Sequence, residues 1–289
     1  MVSADVGFQC VDCVKGARAD QVPKQATPFP VATSSPIRTA YVTWVLIAIN
    51  VVVFMYELAK GVDVLADSYG LSPYSVASGE WWRLFSAPFL HGNFLHILFN
   101  MFVLFSIGPP MERILGHTRF VVLYLVAALG GSVASYFFSP VTAISIGASG
   151  AIFGLMGAML IAGLILKFDI RQIIFWVGLN LVFGFVVNGA VDWRAHLGGL
   201  ITGAAVTAAM LIPARKGNVV LEVVGVLVIV VALVGMTFLR TEIVKHDLDT
   251  TVGIPGVAAQ GSSGTIDMND RSLHTAYSKS YEGASHEPA

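Results

Sequence analysis

The segment that is most informative about the fold is Ser145-Ile146-Gly147-Ala148-Ser149-Gly150-Ala151-Ile152-Phe153-Gly154. Small and polar residues precede Ser149 and an apolar run to Phe168 follows it, so we expect Ser149 to begin a membrane-spanning helix. The start of a helix presents unpaired N–H groups and the positive end of the helix dipole, which together stabilise a developing negative charge. Small residues are also typical of simple helix packing in membranes. A chemical role for Ser149 therefore depends on the rest of the chain.

The composition indicates a polytopic membrane protein. Hydrophobic residues make up 55% of the 289 residues and charged residues 12%, whereas soluble domains average about 25% charged. The formal net charge is -1, and the 17 basic residues lie in short loops rather than in one patch. We therefore expect no nucleic-acid binding.

Seven apolar runs are long enough to cross a bilayer and predict an all-α fold. They are residues 41–58, 94–114, 120–138, 149–166, 170–187, 192–212 and 219–239. If the N-terminus is cytoplasmic, the basic residues of every short loop also fall on the cytoplasmic side, as the positive-inside rule requires. Residues 1–37 are then a mobile cytoplasmic tail. The C-terminus is extracytoplasmic, and residues 241–289 are expected to be disordered.

Polar side chains on three of these runs lie at a similar depth. Ser149, His196 and His96 each stand roughly 25 to 29 Å from the nearest cytoplasmic basic residue, at about 1.5 Å per helical residue. Asn100 follows His96 by one turn and shares its face. Polar groups inside a membrane are costly and usually functional. We therefore expect these four side chains to meet near the outer ends of their helices.

Stripes of small residues favour close contact between the fourth and sixth runs. The stripes are Gly150, Gly154 and Ala158 in one run, and Gly199 and Gly203 in the other. His196 shares the glycine face of its run, so it is able to reach the Ser149 hydroxyl. A structural histidine satisfied by a hydroxyl would explain that pair alone. The presence of His96 and Asn100 at the same depth favours hydrolysis instead.

Four separated motifs resemble the rhomboid family of intramembrane serine proteases. They are Trp82-Arg83, His91-x4-His96-x3-Asn100, Gly147-Ala148-Ser149-Gly150 and Ala195-His196-Leu197-Gly198-Gly199. The resemblance extends from about residue 40 to residue 212. It implies a six-helix rhomboid core over residues 38–212, and residues 213–240 resemble the extra seventh helix of some family members.

The resemblance implies that Ser149 is the nucleophile and His196 the general base of a Ser-His dyad. His96 and Asn100 would stabilise the oxyanion together with the Ser149 N–H. Asp192 lies four residues before His196 and so suggests a triad, but this spacing on a helix places it a full turn outward, towards water, and the family uses a dyad. We therefore expect no triad.

Two further residues match or depart from the family pattern. His91 is expected to brace the start of the second run or the segment before Ser149, outside the catalytic set. Phe153 stands where family members often have tyrosine. Its ring is still able to pack against His196 one turn from Ser149, so only the phenolic hydroxyl is missing.

The expected substrates are single-span membrane proteins that enter sideways from the lipid bilayer, and no cofactor is expected. The alternatives are an inactive rhomboid-like protein that binds membrane helices, and a transporter or channel. Cys10 and Cys13 resemble the closing half of a zinc ribbon, but two thiolates do not complete a four-ligand site, so no metal is expected. A bacterial inner membrane is the expected location, with an organellar membrane as the alternative, and the sequence indicates no oligomeric state.

Overall fold

Helices form nearly all of the described chain in the computed structural model, which describes residues 2–4, 7–9, 39–186, 191–214 and 217–252. Two short strands, β1 (Val2–Ala4) and β2 (Gly7–Gln9), pair antiparallel near the N-terminus. The helices are α1 (Tyr41–Lys60), α2 (Val62–Tyr69), α3 (Pro73–Ala77), α4 (Arg83–Ser86), α5 (Phe94–Leu115), α6 (His117–Phe138), α7 (Ser149–Leu166), α8 (Arg171–Val186), α9 (Trp193–Ala214) and α10 (Val219–Val252). Cys10 and Cys13 lie outside the described residues.

Six of these helices, α1, α5, α6, α7, α9 and α10, are long and apolar enough to span a bilayer. Helix α8, predicted as the remaining span, has 16 residues and ends where the described segment ends. The described part of α8 covers residues 171–186 of the predicted run 170–187. The chain is thus an all-α polytopic membrane protein, as the sequence predicts.

Helix α7 lies at the centre of the bundle between α6 and α9, because glycines allow the backbones to approach. A Cβ added at Gly199 would lie 1.9 Å from the Gly150 carbonyl oxygen, and one at Gly203 would lie 2.0 Å from that of Gly154. Neither position has room for a side chain. The predicted packing of the two small-residue stripes is confirmed.

The segment between α6 and α7, residues 139–148, is called the linker below. The first loop, residues 61–93, holds it in place through backbone hydrogen bonds. Leu71 and Ser145 exchange two of them at 2.9 Å, and the Gly147 N–H donates to the Ala87 carbonyl at 3.0 Å. The Arg83 guanidinium donates to the Asp67 and Gly70 carbonyls and so fixes the loop itself.

Helix α10 continues past the predicted end of its apolar run to Val252. The helix thus passes the predicted boundary at residue 240, where the charged residues that follow indicate a solvated tail. No glycine or proline interrupts the chain between Gly235 and Gly253, so nothing local stops the helix. Val244, beyond the boundary, is fully buried. Residues 253–289 lie outside the described part of the chain.

Candidate active site

Three helix N-termini meet at one end of the bundle, which we call the Ser149 end. Ser149 is the first residue of α7, His96 is in the first turn of α5, and His196 is in the first turn of α9. Helix N-termini carry partial positive charge and unpaired N–H groups. The Ala148 N-cap has no side-chain acceptor for the first N–H groups of α7. This end of the bundle therefore suits a negative charge that develops beside Ser149.

Gly147 sets the close approach of the linker to His96. Its φ of +126° is rarely adopted by residues with side chains. A Cβ at this position would lie 2.7 Å from His96 Nε2 and 3.8 Å from Ser149 Oγ. The His96 ring and the Ser149 hydroxyl therefore both lie near the position that a Gly147 side chain would occupy, and any side chain there would collide with His96.

The hydrogen bonds of His96 indicate which ring nitrogen carries its proton. The Gly92 N–H donates to His96 Nδ1 at 3.4 Å, so Nδ1 acts as an acceptor. A neutral imidazole with an accepting Nδ1 carries its proton on Nε2. Nε2 is the atom beside Gly147. His96 thus presents an N–H donor to the space next to Ser149.

His196 is buried, 6% exposed, and its ring packs flat against Phe153. The ring centroids are 4.1 Å apart and the planes differ by 12°. Phe153 lies one turn after Ser149, so His196 is held against the helix face that begins with the serine. The predicted packing of Phe153 on His196 is confirmed. Among the described residues, no hydrogen bond joins Ser149 Oγ to the His196 ring; such contacts often tighten only when substrate binds.

Asn100 is buried and lies one turn below His96 on the same face of α5. Its Nδ2 donates to the His96 carbonyl at 2.9 Å. An amide nitrogen carries two hydrogens, so a second N–H remains for another acceptor. The bond to the helix backbone fixes the direction of the side chain.

Asp192 binds groups other than the His196 ring. Its carboxylate accepts hydrogen bonds from the Ser135 hydroxyl and, at 3.1 and 3.2 Å, from the backbone N–H groups of Arg194 and Ala195. It therefore caps the start of α9. His196 Nδ1 is buried and has no hydrogen-bond partner among the described residues. This arrangement supports the expectation that Asp192 is not a third catalytic member.

His91 lies behind His96, fully buried, with ring centroids 5.2 Å apart. Its backbone N–H donates to both carboxylate oxygens of Glu57 at 3.1 Å. Burial, followed by the neighbouring His96 ring, lowers the pKa of His91 to about 3, against a smaller raising effect of the Phe89 backbone. A neutral His91 thus supports the start of α5, as a bracing role requires.

Sequence reasoning missed two residues that support the site, Glu57 and Ser135. Glu57 is fully buried near the end of α1. A carboxylate at the end of an apolar run indicates a functional or structural role. The sequence does not predict its partner, a backbone N–H of the first loop. Ser135 is fully buried in α6 and binds Asp192 across the bundle; no local pattern distinguishes it from other small helix residues.

Metal binding has no support within the described ranges, where no three His, Cys, Asp or Glu side chains converge in a suitable geometry. The absence of a metal at Cys10 and Cys13 remains a prediction.

Comparisons with known proteins agree with these motifs. The rhomboid domain model matches residues 78–213. The chain is 38% identical over 180 residues to the rhomboid protease GluP of Bacillus subtilis, covering 59% of this chain and 35% of GluP. It is 33% identical over 174 residues to the putative rhomboid protease YdcA of the same organism, covering 58% of this chain and 87% of YdcA.

A more distant relative is the rhomboid protease AarA of Providencia stuartii, which is 25% identical over 230 residues, covering 67% of this chain and 81% of AarA. The match to GluP spans only about a third of that protein's length, whereas YdcA is matched over most of its length. Together with the family model, this similarity identifies the chain as a member of the rhomboid family.

Proposed function

We propose that the protein is an intramembrane serine endopeptidase that cleaves the transmembrane helices of other membrane proteins with a Ser149–His196 dyad. The observation that carries the proposal is the packing of the His196 ring on Phe153, one turn from Ser149, beside the donor face of His96. Three relatives, GluP, YdcA and AarA, are named as rhomboid proteases or putative ones.

In the first half of the reaction, Ser149 Oγ attacks the scissile carbonyl carbon while His196 takes the hydroxyl proton. The carbonyl oxygen becomes an oxyanion, which accepts hydrogen bonds from the Ser149 N–H, from His96 Nε2–H and from the free Asn100 amide N–H. His196 then gives the proton to the leaving amine as the C–N bond breaks. The product is an ester between Ser149 and the substrate's acyl group.

In the second half, water attacks the ester with His196 again acting as base, and the proton returns to Ser149 Oγ. Water has a short route to this site, because Ser149 is only half-buried and the neighbouring Gly92 and Asn93 are exposed. A transmembrane helix has its backbone groups paired internally. We propose that a single-span substrate enters from the lipid, unwinds near its outer end, and is cut there, where freed backbone groups reach water.

The orientation follows from the basic loops: the N-terminus is cytoplasmic, and the Ser149 end and the C-terminus are extracytoplasmic. We propose the bacterial cell membrane as the location. An inactive family member that only binds membrane helices is the rival function. The presence of both Ser149 and His196 favours the protease.

Cleavage of a single-span model substrate in proteoliposomes tests the proposal. The wild-type chain is expected to release two fragments, whereas Ser149→Ala and His196→Ala each abolish cleavage, because the dyad acts as a unit. Both variants should keep the wild-type thermal transition. Cleavage that persists in either variant would refute the dyad, and a folded wild-type chain that cuts no substrate would favour the rival.

A further inference from the structure

Among the described residues, the polar side-chain contacts that join α10 to α6 and the linker lie at the two ends of the bundle and differ in what they hold. At the end away from Ser149, the Arg119 guanidinium of α6 binds the Glu222 carboxylate at 2.5 and 2.8 Å. At the Ser149 end, Arg240 donates to two carbonyl oxygens, that of Tyr136 at 3.4 Å and that of Ser139 at 3.3 Å. The first pair joins two helices, whereas the second reaches the start of the linker.

The carbonyls that Arg240 binds lie at the carboxyl end of α6, which ends at Phe138. The last carbonyls of a helix lack partners within the helix, and this end carries partial negative charge, so a guanidinium is well suited to it. Thr241, the residue after Arg240, adds a second contact between α10 and α6. Thr241 Oγ1 donates to the Thr237 carbonyl at 2.9 Å, so the Tyr136 hydroxyl donates to Thr241 at 2.8 Å.

Beyond Arg240, α10 packs against the linker and the first loop. Val244 is fully buried and forms a small apolar cluster with Ala77 of α3, against which the half-buried Tyr74 and Val141 pack. Val141 belongs to the linker, and its carbonyl accepts a hydrogen bond from the Tyr74 N–H at 3.3 Å. The end of α10 thus holds the linker at Ser139 and again near Val141.

The start of the linker is connected to both reacting side chains, to Ser149 along the chain and to His196 through hydrogen bonds. In one direction the linker runs to Gly147, which contacts His96, and then to Ser149. In the other direction Ser139 lies 3.5 Å from the Ser135 hydroxyl, which donates to Asp192, the cap of the helix that carries His196. A shift of the linker start would therefore move Ser149 and the start of α9 relative to each other.

We propose that Arg240 and Val244 are positioning residues: they fix the linker from α10 and thereby set the distance between Ser149 and His196. This inference rests on the proposed protease function. Helix α10 then acts on the chemical step, not only on the stability of the bundle. The contacts described for the two residues lie on α6, the linker and α3, and none of them is with the Ser149 or His196 side chain.

The test compares Arg240→Ala, Val244→Ala and Arg240→Lys with Glu222→Gln, which loosens the same helix at its other end. Three quantities are measured: kcat and KM in proteoliposomes, the rate of fluorophosphonate labelling at Ser149, and the thermal transition. Both alanine variants should lower kcat and the labelling rate in parallel, by roughly tenfold, because a small displacement of the reacting groups strongly lowers the rate of the chemical step. KM should stay within about twofold.

The two controls make the result specific. Arg240→Lys keeps a cation at the end of α6 and should restore part of the labelling rate, and Glu222→Gln should retain the wild-type kcat even if its thermal transition falls. Equal losses in Glu222→Gln and the alanine variants would show that α10 only supports the bundle. A change confined to KM, or an unchanged labelling rate, would equally overturn the inference.

Failure of the inference is distinguishable from failure of the proposed function. A wild-type chain that is active while folded Arg240→Ala and Val244→Ala match it refutes only the positioning role. A folded wild-type chain that neither cleaves substrate nor reacts with the fluorophosphonate refutes the protease itself. If Arg240→Ala does not fold, Val244→Ala decides the matter by the same measurements.

Discussion

Phe153 and His196 stack face to face, with ring centroids 4.1 Å apart and planes within 12°. The two rings come from different helices, α7 and α9, and the contact lies one turn from Ser149. Because His196 Nδ1 has no hydrogen-bond partner among the described residues, this flat contact helps to hold the imidazole in place. The orientation of the proposed base therefore depends on an apolar neighbour.

Replacement of Phe153 tests that dependence. Phe153→Ala should lower kcat by roughly tenfold or more, since a base that is free to tilt is less often aligned with the serine. Phe153→Tyr keeps the ring and should stay within about threefold of wild type. Steady-state kinetics on a single-span substrate measure both. Equal activity of all three chains would mean that the stacking does not orient His196.

Asn100→Ala should lower kcat by roughly 10 to 1,000-fold with little change in KM, the scale expected for loss of one oxyanion donor. Phe99→Ala is a matched control, because Phe99 is the adjacent residue and faces outward, 64% exposed. It should leave kcat unchanged. If Asn100→Ala raised KM alone, Asn100 would bind substrate and have no role in the transition state.

Gly147→Ala should nearly abolish activity, because the new methyl group would collide with His96 Nε2 in addition to straining the backbone. Gly79→Ala separates the two effects. Gly79 also has a positive φ, +109°, but a Cβ there meets nothing within 4 Å. We expect the control to lose some stability and keep its kcat. Comparable kcat losses in both variants would attribute the effect to backbone strain.

The sequence predicted that Ser149, His96 and His196 lie at a similar depth in the membrane, because the rise per helical residue and the flanking charges determine the depth of each residue along its span. It also predicted the contact between α7 and α9, because small residues at every fourth position of a membrane helix allow the backbone of a neighbouring helix to approach closely. Each of these features belongs to a single segment of sequence. The side chains come together once the helices are packed.

Contacts made by irregular segments were not predictable. The Glu57 carboxylate binds the His91 N–H across 34 residues of chain, and Val244 meets Ala77 across a still longer interval. Such pairs depend on how the first loop folds, and loops carry no periodicity to read. The predicted end of α10 is too early for a related reason: residues 241–252 are mostly charged and polar, which is the pattern of a solvated tail, although Val244 is buried and Thr241 is hydrogen-bonded.

Acid should destabilise the protein partly through His91. Its pKa is about 3 in the folded chain and 6.5 ordinarily, so between these pH values the unfolded chain binds more protons. The contribution of His91 is complete above about pH 6.5 and is lost progressively as pH falls towards 3. His91→Phe should therefore show a smaller drop in thermal transition temperature between pH 7 and pH 4 than wild type. Parallel drops would mean that His91 does not titrate as described.

The most direct test of the proposed protease is covalent labelling of the purified chain with a fluorophosphonate, followed by peptide mapping. We expect one modified residue, Ser149, and loss of labelling in His196→Ala although the serine is still present, because the reagent needs an activated hydroxyl. A folded wild-type chain that is not labelled, or labelling at Ser149 that is equally fast without His196, would contradict the Ser149–His196 dyad.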